Sequence, residues 1–523
     1  MTISRREFLV TTGGVVGWSV LTGAQPAGET TFRHGVASGD PLADRVILWT
    51  RIAARSGAPI NVSWRIARDA ACRNVVSKGT VRTSAARDYT VKVDARGLRP
   101  ATTYYYRFEV GRDQSPIGRT RTLPVGNVPR VRLGVVSCSN YPYGFFNAYR
   151  CLAQRPDLDA VLHLGDYIYE YQNKRYGDGT PLGRIPDPDR EIVTLGDYRA
   201  RHAQYKTDPD LQEVHRQHPF IAVWDDHEIA NNTWSGGAQN HNPEAGEGDW
   251  AARKAAAVQA YFEWMPIRET EGTRVYRNFK FGTLFDLLML DTRLEGRDLQ
   301  ITNPDQIAAL ADPKRRLLSV EQEAWLFRRL TESARAGSRW RVLGQQVLFA
   351  PTAPAGQRGR NMDTWNGYQA SRARVFDFLQ AQRIDNLVVL TGDIHSSWAF
   401  NLPPDPWKDG AYDPATGRGS IAVEFVGPAV SSPGSFMTPA AQKRADEIRA
   451  MCPHLRYLEG EHRGYFILDV TPQHAQADWF FVDTVSERTN TERLARSLLV
   501  EAGSGRLSDA RPLSSIDASP LAP

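Results

Sequence analysis

Four apolar stretches of this chain each stop at residues able to hold a metal ion. VVSC ends at Cys138. VLHLGDYIYE, residues 161–170, turns at a glycine and then presents Asp166 and Tyr169. FIAVWDDHE ends in Asp225, Asp226, His227 and Glu228, and NLVVLTGDIH delivers Asp393 and His395. An apolar run ending in Gly-Asp is how a parallel α/β sheet carries a carboxylate to the carboxyl edge of its strands. Hydrolysis of a phosphate ester needs a nucleophilic water at neutral pH, neutralised phosphoryl oxygens and a proton for the leaving group. A two-metal site supplies the first two. The spacing therefore predicts one polynuclear metal site suited to that reaction. Cys138, Tyr169 and His395 form a softer donor set; thiolate with phenolate favours trivalent iron over magnesium or zinc. Asp226 and Asp393, with nearby carbonyl or amide oxygens, favour a hard ion such as Ca²⁺.

The elements that must position these residues follow from the pattern. Strands predicted near 131–136, 161–164, 220–223, 284–290, 341–343 and 387–390 alternate with helical stretches at 145–153, 250–264, 320–336 and 371–381. This is an α/β layered domain spanning about 130–500. Further strands at 421–426, 464–470 and 477–482 extend or flank the sheet. Residues 171–215 and 229–249 read as long polar loops, and loops of that length are usually functional or lid-like. Residues 30–125 read as all-β, with strands at 46–51, 62–67, 89–93 and 103–110 separated by Gly, Pro and Asp turns. The corner LRPATTYYY, residues 98–106, resembles that of fibronectin type III modules. A small β-sandwich is expected there, joined by a linker at 122–129. Residues 489–500 suggest a short helix, and 501–523 a loosely ordered tail.

The chain has 523 residues, a quarter of them charged, and a net charge of +5. That is enough for two domains and gives no support for dedicated nucleic-acid binding. At the N-terminus, Ser4-Arg5-Arg6-Glu7-Phe8-Leu9 precedes an apolar, glycine-containing run and small residues between Ala24 and Ala27. This reads as a cleavable signal over residues 1–27. The paired arginines resemble a twin-arginine signal, which would make the twin-arginine translocase a partner and place the mature protein in the periplasm, the wall or the medium. No later segment is apolar over the length of a membrane span. The four cysteines are too few for a disulfide framework in a chain of this size. A Cys151–Cys452 pair is left open.

The blocks also carry a family resemblance. Ser137-Cys138-Ser139, Gly165-Asp166-Tyr167-Ile168-Tyr169, Asp225-Asp226-His227-Glu228, Gly344-Gln345-Gln346 and Gly392-Asp393-Ile394-His395 follow the order and spacing of the metallophosphoesterase pattern. The ligand set departs from that pattern. Cys138 stands where Asp is usual, Asp226 replaces Asn, Asp393 replaces His, and a Gln takes the place of another His. These departures resemble PhoD-type alkaline phosphatases, as do FRHGVASGDP at 32–41, VILWTR at 46–51 and Trp365-Asn366-Gly367-Tyr368. The resemblance implies a four-layer metallophosphatase sandwich behind a fibronectin-like domain, and one Fe³⁺ with Ca²⁺ ions (Zn²⁺ or Mn²⁺ being the alternative). By residue matching, Cys138, Asp166, Tyr169 and His395 would hold iron. Asp166 would bridge to calcium beside Asp226 and Asp393, with Gln345 or Gln346 adding an oxygen. A metal-bridging hydroxide would attack in line. His227, beside Asp226, is the candidate to contact the phosphoryl group or protonate the leaving oxygen, and Arg463 is a candidate phosphate binder.

The expected activity is that of an exported phosphatase and phosphodiesterase acting on small phosphate mono- or diesters. A phospholipase D acting on lipid head groups is the nearest alternative; the polar loops, with Asn231, Asn232 and Asn240, lean against it. A non-catalytic secreted metal- or phosphate-binding protein is the alternative of another class. An oxidoreductase is disfavoured because no haem, flavin or dinucleotide fingerprint is present.

Overall fold

A computed structural model describes residues 31–523 apart from 55, 56, 270, 271, 273, 360 and 516. The expected signal segment lies outside the described residues.

Three sheets organise these residues, of ten, seven and five strands. In the ten-stranded sheet, Val131–Val136, Ala160–His163 and Pro219–Ala222 run parallel as neighbours. In the seven-stranded sheet the parallel set is Phe285–Met289, Trp340–Gly344, Leu387–Thr391 and Ala422–Val426. Both sets are buried throughout. This is why they read as largely apolar runs, broken by single residues such as Arg132 and Glu424, rather than as strict alternation. Alternation reappears in what each residue packs against. Val342, Val388, Leu390 and Phe425 join the large core that also contains Leu133, Val135 and Val161 of the ten-stranded sheet. Their neighbours Leu343, Leu387, Val389 and Val426 join a second core with Leu326, Leu330, Val375 and Leu379. Those last four belong to the helices Val320–Arg335 and Gln369–Ala381. One face of the seven-stranded sheet therefore meets the ten-stranded sheet, and the other meets helices.

The N-terminal β region divides between two sheets. Ile60–Ala67, Val75–Thr83 and Thr103–Val110 lie in the five-stranded sheet. Val36–Gly39, Arg45–Arg51 and Thr90–Arg96 instead continue the ten-stranded sheet, through Ser38 opposite Pro219 and Gly39 opposite Phe220. Backbone hydrogen bonding thus runs across the boundary expected near 122–129.

Three expectations are corrected. Residues 171–215 are not one loop: they contain the helices Leu195–Tyr205, with a Thr194–Asp197 capping box, and Pro209–Gln217, capped by Asp208. Residues 489–500 are not a helix. Glu492–Glu501 is a strand paired antiparallel with His474–Val482. Its Leu, Ala and Arg residues favour helix locally, but the non-local partner decides. The tail is tied down: Leu507–Asp509 adds a strand, Pro520 O accepts from Tyr105 Oη at 2.6 Å, and Ala522 exchanges hydrogen bonds with the Gln217 side chain.

Candidate metal centre

Four of the parallel strands carry their chemistry two to four residues past their last residue. Val136 leads to Cys138, His163 to Asp166, Ala222 to Asp225 and Asp226, and Thr391 to Asp393 and His395. The turns stay laddered beyond the strands. Cys138 N–H donates to Gly165 O at 3.1 Å and Ser139 N–H to Asp166 O at 2.9 Å. Two glycines let turns approach closely. A methyl group on Gly165 would collide with Asp225, and one on Gly392 with Ser137 of the opposite sheet. Cys138, Asp166, Asp393 and His395 all adopt positive φ, between 50° and 63°. Such backbone costs on the order of 1–3 kcal/mol per non-glycine residue and persists where surroundings over-determine it. Here the Cys138 carbonyl accepts from both the N–H and the Oγ of Ser432, at 3.2 and 2.9 Å.

The centre has two sides that share Asp166. On one, the Tyr169 hydroxyl lies 3.0 Å from Asp166 Oδ2, 3.2 Å from His395 Nε2 and 2.7 Å from Ser432 Oγ. His395 Nδ1 is 3.1 Å from Pro433 O. That carbonyl holds the proton on Nδ1 and leaves Nε2 as a lone pair. Burial, then Asp166, pushes the Cys138 thiol and the Tyr169 phenol well above their ordinary pKa values. On the other side, a buried arginine absent from the sequence reading, Arg293, sits among four carboxylates. It bonds Asp225 and Asp363, donates to Asp393 Oδ1 at 2.8 Å, and lies 3.5 Å from Asp226 Oδ1. Burial works against ionising Asp226, but Arg293 and His227 outweigh it and hold the carboxyl below its ordinary range. Asp393, where burial wins, is raised to about 7.

His227 Nδ1 is 2.7 Å from Glu170 Oε2, a carboxylate wholly inaccessible to solvent. Burial opposes charge on the imidazole, but Glu170, Asp226 and Asp166 outweigh it and raise its pKa well above the usual value. Glu228 is a clamp, accepting the N–H groups of Asp166, Tyr167 and Asp225. A cavity of about 270 Å³ opens over Asp166, Asp226, His227, Asp363, Asp393 and His395.

The donor set fits cations. Three groups have ligand atoms within 4.8 Å of one another: Cys138, Asp166 and His395; Asp166, Asp226 and His227; Asp225, Asp226 and Asp393. Asp166 Oδ1 and Asp225 Oδ2 are buried with no hydrogen-bond partner among the described residues, positions where a cation would complete the balance. A bound ion also supplies the charge that a buried thiol or phenol needs in order to ionise.

Two sequence candidates stand elsewhere. The Gln346 amide is engaged within the protein: its Nε2 donates to Trp224 O and Leu290 O, and its Oε1 accepts from Thr292 N and Oγ1. Gln345 is likewise held, by Thr391 Oγ1 and Trp365 Nε1. Arg463 does not line the cavity over Asp166. Its guanidinium bonds Ser432 O, Glu461 O and Tyr143 Oη, beside a separate cleft with Met437 and His462. Cys151 contacts Asn490 O at 3.6 Å, and no disulfide joins it to Cys452.

Comparison with known proteins gives a consistent result. The family described as PhoD-like phosphatase matches residues 133–479, and the N-terminal domain of PhoD-like phosphatases matches residues 18–124. Alkaline phosphatase D of Bacillus subtilis (strain 168) is 39% identical over 521 residues, covering 93% of this chain and 85% of that protein. A solved structure described as that of PhoD superposes with a TM-score of 0.83 at 36% identity, covering 94% of each chain.

Proposed function

This chain belongs to the PhoD-like phosphatase family and is a metal-dependent hydrolase of phosphate esters, and from that premise we propose how its residues divide the work. Cys138, Asp166, Tyr169 and His395 hold Fe³⁺, and Asp166, Asp226 and Asp393 hold Ca²⁺. The observation that carries this division is the asymmetry of the centre. Sulfur, phenol and imidazole gather on one side; carboxylates with a fixed guanidinium gather on the other, and donor softness sorts ions accordingly. Ions bound there acidify a water and neutralise phosphoryl oxygens.

The protein supplies the rest. Glu170 fixes the His227 ring through Nδ1, so Nε2 is the nitrogen left to act in the cavity. Oriented by Glu170, His227 contacts a phosphoryl oxygen or gives a proton to the leaving oxygen. Asn232 N–H donates to Asp226 Oδ2 at 2.6 Å and aims that carboxylate. Arg293 balances the acidic side. Helices Asn147–Ala153 and Pro209–Gln217 place Leu152, Leu211 and Val214 in the core of the ten-stranded sheet, and with the helices on the seven-stranded sheet this packing is read as the four-layer metallophosphatase sandwich, the N-terminal β region as fibronectin III-like. Arg5-Arg6 ahead of the apolar run supports export by the twin-arginine route, and no helix among the described residues is long and apolar enough to cross a membrane.

The test is turnover of 4-nitrophenyl phosphate and bis(4-nitrophenyl) phosphate with and without chelator. Hydrolysis of both, abolished by chelation and restored by iron with calcium, is expected. Turnover indifferent to chelator would contradict the reading.

A further inference from the structure

A second cavity, of about 390 Å³, adjoins the one over the metal centre. The two share Asn361, Ile394 and Ser435. Ile394 stands between Asp393 and His395, so the cavities meet at the residue separating two candidate ligands. Away from that junction the wall turns apolar: Leu348, Trp398, Phe436 and Ile448 line it. The Trp398 and Phe436 rings pack at a centroid separation of 5.9 Å.

Several polar atoms of this wall are already engaged with one another. Ser396 Oγ donates to Ile394 O at 2.8 Å and accepts from Trp398 Nε1 at 2.6 Å. Ser435 Oγ donates to the same carbonyl at 2.5 Å. Asn366 donates to Thr364 Oγ1 and accepts from Thr352 N–H, and Thr364 Oγ1 donates to Asn361 O. The charged residue of the lining, Arg444, is exposed; against the apolar wall and the engaged polar atoms, an apolar occupant gains by leaving water. The cavity is also of small-molecule size, in the lower part of the range of about 300–1,000 Å³ usual for ligand pockets.

We propose that this cavity is a specificity subsite for a short alkyl or aryl arm of the phosphate ester whose phosphoryl group sits on the metal centre. It rests on the phosphate-ester reading above and adds the chemistry of the organic group. The phosphoryl group is placed by charge; the arm is selected by burial beside Ile394.

The experiment is calorimetric binding of n-alkylphosphonates, methyl to octyl, and of phenylphosphonate to the metal-loaded enzyme. The same series is run on Ile448→Trp, which fills the cavity, and on Phe436→Ala, which widens it. In the wild type, affinity should rise roughly fourfold per methylene over the first few carbons and then level off. Phenylphosphonate should bind more tightly than methylphosphonate. The butyl-to-methyl affinity ratio should collapse toward one in Ile448→Trp, and levelling should move to longer chains in Phe436→Ala. A flat wild-type series with methylphosphonate still binding overturns the subsite and leaves the phosphatase reading intact. A slope that continues undiminished to octyl, or survives in Ile448→Trp, also overturns it. Failure of every phosphonate to bind contradicts the phosphate-ester reading itself.

Discussion

The two sides of the metal centre solve the problem of buried charge differently. Around Asp226 and Asp393 the protein brings its own cation, Arg293, whose side chain is wholly inaccessible and lies between carboxylates from both sheets. Around Cys138, Tyr169 and His395 no guanidinium or ammonium contacts the donors among the described residues. The neighbours there are hydroxyl and carbonyl dipoles, Ser432 Oγ, Ser137 Oγ and Pro433 O, together with the shared Asp166 carboxylate. A buried acid without a cation stays protonated. The acidic side is therefore partly balanced before any ion arrives, with Arg293 and His227 holding Asp226 ionised while burial still raises Asp393; the softer side acquires its charges together with its metal. The positive-φ turns at Cys138 and Asp166 hold those donors in place meanwhile.

The comparison can be broken most severely by removing one ligand from each side. Asp226→Ala or His395→Ala should lower kcat/KM by about a thousandfold or more, since each removes a residue on which several kcal/mol of charge stabilisation depends. Near-wild-type turnover in either variant would end the assignment. Next is Arg293→Met, which strands four carboxylates. Metal-free protein should lose on the order of 3–5 kcal/mol by denaturant titration, with a large part returned by calcium. Equal losses with and without calcium would show that Arg293 does not balance a cation site.

A third variant tests the same electrostatics away from the centre. Glu424 is fully buried, accepts from the N–H groups of Phe349 and Ala350 and from Thr391 Oγ1, and burial raises its pKa from 4.5 to about 7. With the folded pKa raised, its favourable contribution is complete below pH 4.5 and is lost as pH rises through 7. Glu424→Gln should therefore flatten the stability profile between those values, removing a pH-dependent change of about 3 kcal/mol. An unchanged profile would contradict this. Smaller effects follow at positioning residues. Glu170→Gln should cost roughly 10–100-fold in kcat with metal content unchanged and should shift the limb of the pH–rate profile that reports His227. Loss of metal instead would make Glu170 a support for the ions.

Much of the centre was legible in the sequence because parallel strands advertise themselves. Buried on both faces, 220–223 and 387–390 are unbroken apolar runs, and the residues just after them must lie at one sheet edge. Arg293 and Asp363 escaped notice for an instructive reason. Arg293 also follows a buried strand, Phe285–Met289, but an arginine is not a metal-ligand type, and Asp363 lies in a segment with no strand to place it. The Asp-Thr-Arg directly after an apolar run was the available signal. The surroundings of Gln346 were not legible because its amide meets the Trp224 and Leu290 carbonyls, partners distant in sequence. The strand at 492–501 was hidden in the same way: its identity depends on His474–Val482 rather than on its own residues.

The most direct test of the two-sided centre is metal content and a visible spectrum on exported protein, with Cys138→Ser and Tyr169→Phe alongside. The account predicts about one iron per chain with calcium in excess of it, and a broad visible band that weakens or vanishes in both variants while calcium is retained. Two zinc or manganese ions with no coloured band, or a band indifferent to Cys138 and Tyr169, would contradict it.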